Sequence, residues 1–315
     1  MPKGSSGSGY AKVSHTSPVR NIEGAMWLVI SALGFTAHTV LIKIMLEEIN
    51  PVYGSFIRSF CSLLILSPVL IFGWAKLSTE KFELIFSRSM FGSFGFIFSM
   101  FALAPMFALP LAEFNALSFT RSMFVTVFAA FFLKEIVGRL RWSAVFFGFV
   151  GVLIMAVPGL IFPWVPSDGG PTINLGSLFA ILAAFCFAAA IVLVKNLTKY
   201  HKPIELLIWA NLLSAIILFI PTVFFWEWPK PDVWGLIALM SITGIAAQFC
   251  YIKGMSIGDA SFLSPVDYLR LPMAVAADWW LIKTFPGIYT WIGAGVIIGA
   301  TLFITLRERM KANRN

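Results

Sequence analysis

Residues 267–280 read DYLRLPMAVAADWW and carry Asp267, Arg270 and Asp278, with Pro272 between them, inside an apolar run that ends near Lys283. Asp267 and Arg270 are three positions apart, so on a helix they project from one side. Either they neutralise one another, or Arg270 meets a solute whose position Asp267 sets. Tyr268 stands beside them as a hydrogen-bonding group. Pro272 removes a backbone donor, which kinks a helix or frees a carbonyl to face a cavity. A second arginine, Arg121, sits in ALSFTRSMFVTVF with no acidic residue one turn away. Glu113 is eight positions earlier, about 12 Å along a helix axis. A guanidinium so placed must find its partner on another segment, in water or on an anionic ligand.

Other polar groups are scattered through apolar sequence. Arg58 lies seven residues after Pro51, where a long side chain either faces the interior or snorkels to the surface. His38 is a candidate hydrogen-bonded core residue, and its near-neutral reference pKa keeps proton coupling open. Glu113, Asn115, Gln248, Tyr251 and Asn211 are each able to bond a solute or to glue helices together. Asp278 is expected near the end of its segment, at an entrance or, more simply, a solvated helix end. If Asp267 offsets Arg270, then Arg58 and Arg121 face Glu113 alone. The excess of positive charge favours a solute with a carboxylate or phosphate, or a zwitterion, over a simple cation.

The elements that must position these residues follow from composition. The chain has 315 residues, 59% hydrophobic and 12% charged, where about a quarter of ordinary residues are charged. Its mean hydropathy is +0.87. Apolar runs near 23–43, 51–73, 84–104, 109–133, 142–162, 173–194, 204–226, 233–254, 260–282 and 287–306 are each long enough to cross a bilayer core. The expected fold is therefore an all-α polytopic membrane protein of ten transmembrane helices, with the lipid bilayer as its first partner. Lys and Arg gather on one set of connections, from Lys3, Lys12 and Arg20 through Lys76, Lys81 and Arg88 to Arg307, Arg309, Lys311 and Arg314. The opposite set holds Lys43, Lys230 and Lys283. Such bias places both termini in the cytoplasm.

Several functions are disfavoured. The net charge of +8 comes from short loops, so it orients the chain rather than binding nucleic acid. Cys61, Cys186 and Cys250 are isolated, without metal or disulfide spacing. No Walker loop, His-Glu-x-x-His or Gly-x-Ser-x-Gly elbow is present. No cofactor is expected, and an intramembrane enzyme is the weakest reading, behind a channel or a membrane scaffold.

The chain is also written twice. GAMWLVISALGFTAHTVLIK (24–43) and GSLFAILAAFCFAAAIVLVK (176–195) each run from a Gly to a Lys, and Pro51 and Pro203 follow at the same distance. Arg121 and Arg270 precede Lys134 and Lys283 by equal intervals, and Gly151 corresponds to Gly299. Five-span units must enter the membrane from opposite sides, so the repeats are expected to be inverted, with a site at the midplane between them. The divisions are a Gly/Ser-rich tail 1–20, a first repeat 21–162, a linker 163–172, a second repeat 173–307 and a basic tail 308–315. Gly295-x-x-x-Gly299, with Gly148 and Gly151 on the fifth span, packs helices inside the bundle or offers a homodimer face through the fifth and tenth spans.

FIRSFCSLLILSP (56–68), ALSFTRSMFVTVFAAFFLKE (116–135) with RWSAVFFGFVGVLIMAVPG (141–159), and SPVDYLRLPMAVAADWWLI (264–282) resemble the drug/metabolite transporter superfamily, in its ten-span EamA-type form. The likeness covers residues 23–307. Within the superfamily it is similar to proteobacterial branches that include S-adenosylmethionine and riboflavin transporters; amino-acid exporters are more distant. The resemblance implies a bacterial inner-membrane carrier of a small organic molecule, alternating access, and a cavity lined by the spans that hold the embedded polar residues.

Overall fold

The structure is a computed structural model that describes residues 18–72, 77–107, 109–132, 139–156, 174–197, 200–257, 266, 269–281, 283 and 286–312. Among the described residues every regular element is helical. In chain order these are α1 (Pro18–Met45), α2 (Pro51–Ile71), α3 (Phe82–Leu103), α4 (Leu111–Ser118), α5 (Thr120–Phe132), α6 (Arg139–Ala156), α7 (Leu175–Leu197), α8 (Pro203–Thr222), α9 (Val233–Ile257), α10 (Arg270–Leu281) and α11 (Ile288–Ala312). Among the described residues, six stretches are long and apolar enough to cross a membrane: Ile22–Met45, Pro51–Ile71, Phe82–Leu103, Leu175–Val194, Ile204–Phe225 and Val233–Tyr251. The other four expected spans each contain described helix, the fourth as the pair α4 and α5.

Local chemistry sets the helix starts. The Asn50 side chain accepts the Val52 amide at 2.9 Å, and Pro51 occupies the first turn of α2, where its missing N–H costs nothing. Pro203 begins α8 in the same way. Large apolar side chains such as Phe224, Trp280, Ile71 and Phe131 stand on the outside. In water that surface would drive association, but in a bilayer it is the solvated face.

The helices pair in a regular scheme. α1 packs on α9 and α3 on α7, while α2 meets α8, α4 meets α10 and α6 meets α11. In the α1–α9 seam glycine lets the backbones approach closely. A Cβ on Gly34 would lie 2.9 Å from the Ala247 Cβ, and one on Gly244 would lie 2.9 Å from the His38 ring. Polar contacts cross the same seam: the Ser31 hydroxyl donates to the Ala247 carbonyl at 2.8 Å, and His38 Nδ1 bonds the Met240 carbonyl at 2.9 Å. Since a carbonyl only accepts, His38 carries its proton on Nδ1.

On α6, Gly151 faces α11, where an added Cβ would come within 2.8 Å of the Gly293 carbonyl. Gly148 instead packs on Met123 of α5. Gly295 and Gly299 face open space, so the α6–α11 approach uses Gly293 and Ile297 rather than the Gly295-x-x-x-Gly299 pair.

Replacing Gly34 by Leu should force α1 and α9 apart. The expected loss is about 1–3 kcal/mol, the usual cost of overpacking a close contact. It would be read as a lowered Tm of the detergent-solubilised protein, whereas the same change at Gly299, where an added Cβ meets nothing within 4 Å, should leave Tm close to that of the parent.

Candidate functional site

A cavity of about 330 Å³ lies between the two halves of the chain. Side chains of α1–α5 and α7–α10 line it, and none of its described lining residues comes from α6 or α11. Helical spacing explains which residues face it. On α3, Arg88, Gly92, Phe96, Ser99 and Leu103 recur at intervals of three or four and form one face. On α7 the corresponding stripe is largely alanine, with Ala180, Ala183, Ala184 and Ala190. Short side chains on that wall leave the volume open.

The structure brings six of the expected residues to this cavity: His38, Arg58, Asn115, Arg121, Gln248 and Arg270. Asn211 and Tyr251 join them. Glu113 lies outside the lining, where its Oε1 accepts the Ser177 hydroxyl at 2.8 Å. Asp267 and Tyr268 lie outside the described residues. Arg58 does not snorkel. It is 6% exposed, and its guanidinium stacks 3.7 Å above the Phe96 ring. The Arg270 guanidinium lies 4.0 Å from the centre of Phe35 and 5.9 Å from that of Tyr251. Aromatic faces thus hold two of the arginines, a contact that strengthens where water is excluded.

Arg88 is the residue that sequence reasoning assigned elsewhere. Read with Lys76 and Lys81 as part of a basic connection, it instead lies within α3 and lines the cavity. Its Nε, like that of Arg58, is buried without a hydrogen-bond partner. The stripe from Arg88 to Leu103 was the signal available, because a loop residue has no reason to continue a helical face. Arg58, Arg88, Arg121 and Arg270 therefore share one cavity, and its described lining contains no Asp or Glu. Arg58, Arg88 and Arg121 form no ion pair among the described residues.

A local break precedes one of these arginines. The fourth span is interrupted at Phe119, between α4 and α5. Around it the Ser118 hydroxyl donates to the Asn115 carbonyl and the Thr120 hydroxyl to the Leu117 carbonyl, both at 2.7 Å. Such back-bonding competes with the helix ladder and bends it. Arg121 follows directly. Its sequence counterpart Arg270 is the first residue of α10.

The start of α4 is held from across the bundle by Asp278, which is fully buried rather than at a solvated helix end. Its two carboxylate oxygens accept the amides of Leu111 and Ala112, at 3.1 and 2.9 Å. Lys43 Nζ, 3.8 Å from Asp278, also donates to the Leu109 carbonyl at 3.2 Å. The carboxylate caps a helix to which it is not connected and compensates the adjacent ammonium.

An apolar helical bundle around a polar cavity of small-molecule size is the build of a multi-pass membrane transporter. The chain belongs to the EamA-like transporter family, whose profile matches residues 22–157 and again 174–306. It is 27% identical to a riboflavin transporter of Vibrio cholerae, across 93% of this chain and 96% of that one. It is 31% identical to a riboflavin transporter of Brucella anthropi, across 81% and 87%. An S-adenosylmethionine uptake transporter of Rickettsia conorii is 26% identical, across 93% and 96%. A solved crystal structure shares the fold with a TM-score of 0.57 at 18% identity, covering 88% of this chain and 98% of that one. The chain is accordingly a multi-pass inner-membrane transporter, and not an enzyme.

Substituting Asp278 by Ala should strand two buried amides and Lys43. A loss of about 1–3 kcal/mol is expected for the unsatisfied groups, with Asn costing less because its carbonyl keeps one acceptor. Thermal unfolding of the purified protein in detergent would rank parent above Asn above Ala; equal Tm values for all three would show that the cap contributes nothing.

Proposed function

We propose that this transporter is a secondary or facilitative carrier that moves a small organic metabolite, of the riboflavin or S-adenosylmethionine kind, by alternating access. In this reading ten spans form two inverted five-helix repeats, and the cavity at their interface is the solute site. The helix pairing supports it. Exchanging the first and second halves turns the α1–α9 pair into the α7–α3 pair and maps the α2–α8, α4–α10 and α6–α11 pairs onto themselves, as a twofold relation requires. The double match of the family profile supports it too.

The observation that carries the site is the convergence of Arg121 and Arg270 on one cavity. They occupy corresponding positions of the two halves, at equal intervals before Lys134 and Lys283, and Arg121 follows the interruption at Phe119. Arginine within a bundle is costly, so its placement beside a cavity rather than lipid points to a solute pathway. Gln248, Asn115 and Asn211 supply neutral hydrogen-bonding groups around them. The named relatives supply the solute classes, and both are ring-bearing metabolites.

The test is counterflow. Proteoliposomes preloaded with riboflavin or S-adenosylmethionine should show saturable exchange of one labelled solute. Arg121→Gln or Arg270→Gln should lower that exchange about tenfold or more, the scale of losing a charged hydrogen bond, while the variants stay folded by gel filtration. Exchange retained in both variants would remove the arginines from the site, and exchange that never saturates would favour a channel.

A further inference from the structure

The charge and shape of the cavity narrow the solute beyond a ring-bearing metabolite. We infer that the transporter prefers an anionic one, a planar ring carrying a phosphate or carboxylate, and that Arg88 and Arg58 hold its oxyanion group over Gly92. The inference rests on the reading of the cavity as the solute site.

Three observations meet at this spot. First, Gly92 lies between Arg88 and Phe96 on the cavity face of α3, and an added Cβ there would meet nothing within 4 Å. The helix surface between the two side chains is therefore recessed and open. Second, Arg58 from α2 covers the Phe96 ring at 3.7 Å, which places a guanidinium on the Phe96 side of the recess, while Arg88 lines the same cavity one helical turn before Gly92. Arg88 and Phe96 are eight residues apart, about 12 Å along the axis, a span that two arginine side chains reaching inward can close around one oxyanion. Third, the Nε atoms of Arg58 and Arg88 are both buried without a hydrogen-bond partner. Neither arginine has a carboxylate partner among the described residues. A buried guanidinium with unused donors is matched by an oxyanion, which accepts two parallel N–H bonds.

The remaining walls suit a ring. Phe35, Phe114 and Phe187 line the cavity, and the Arg270 guanidinium, 4.0 Å from the centre of Phe35, is a planar group of the kind that stacks on aromatic groups. Gly92 itself has no structural need to be glycine, since nothing crowds it. Its use is the space it leaves. A net cation would meet the same guanidiniums unfavourably, because like charges in a site sheltered from water are costly.

The experiment compares solutes that share a ring and differ in charge. Counterflow in proteoliposomes would be measured for riboflavin 5′-phosphate, riboflavin, folate (a ring with carboxylates) and S-adenosylmethionine, a sulfonium cation. The expected half-saturation concentration for riboflavin 5′-phosphate is about tenfold or more below that for riboflavin. Arg88→Gln should collapse that ratio towards one. Gly92→Leu should abolish the preference without lowering Tm, because it fills the recess while removing no charge. Competition by folate would extend the class to carboxylates, and its absence would restrict it to phosphates. Three results overturn the inference while leaving transport intact: equal or better exchange of riboflavin, preference for S-adenosylmethionine, or an Arg88→Gln variant that slows both flavins equally. No saturable exchange of any of the four solutes would overturn it together with the transport reading beneath it.

Discussion

The cost of bringing a guanidinium into a membrane organises this molecule. An arginine near the bilayer centre costs about 2.5–3.5 kcal/mol even on the lenient insertion scale, and four of them enter the bundle. The cost is kept low only if each faces away from lipid. Arg58 and Arg270 lie over aromatic rings, and all four line a single cavity. Around them the outward surfaces of the helices are free to be uniformly apolar. The glycine seam between α1 and α9 serves the same end, since close backbones there hold Phe35, His38 and Gln248 at the cavity edge.

The two halves are similar without being equivalent. Arg121 and Arg270 correspond, but the buried acid eight positions beyond Arg270 has no counterpart. Asp278 caps α4 and compensates Lys43, whereas the position equally far beyond Arg121 is Ala129. A polar clamp therefore ties α10 to α4 at one end of that helix pair, and no carboxylate stands at the matching place in the other half. The Glu48–Lys230 ion pair, between the α1–α2 and α8–α9 connections, adds a further polar tie between the halves. It is exposed and so of little energetic weight.

Much of this was legible in the chain. Long apolar runs gave the helices, and the recurrence of Gly, Lys, Pro and Arg at matched intervals gave the correspondence of Arg121 with Arg270. What escaped depended on distance in sequence. Asp278 reads as a helix-end charge until Leu111 and Ala112, more than 160 positions away, are seen to donate to it. Arg88 reads as a loop charge because it stands near the start of a span and follows two lysines; its helical face shows otherwise. The break at Phe119 was hidden because Ser118 and Thr120 are ordinary residues in a membrane helix, and only their bonds to carbonyls mark the interruption. Arg58 was ambiguous for a related reason. A long side chain reaches either the surface or the interior from the same backbone position, and Phe96 decides which.

The alanines of α7 carry a consequence for how such carriers diversify. The room inside the bundle exists because Ala180, Ala183, Ala184 and Ala190 stop short. None of them contributes charge, caps a helix or sets a turn. Exchanging methyl groups along that wall redraws the shape of the cargo space while leaving helix pairing and arginine placement alone. Relatives 26–31% identical to this chain bear the names of two chemically unlike metabolites, and a wall of exchangeable methyl groups is one physical route from a single frame to different cargo.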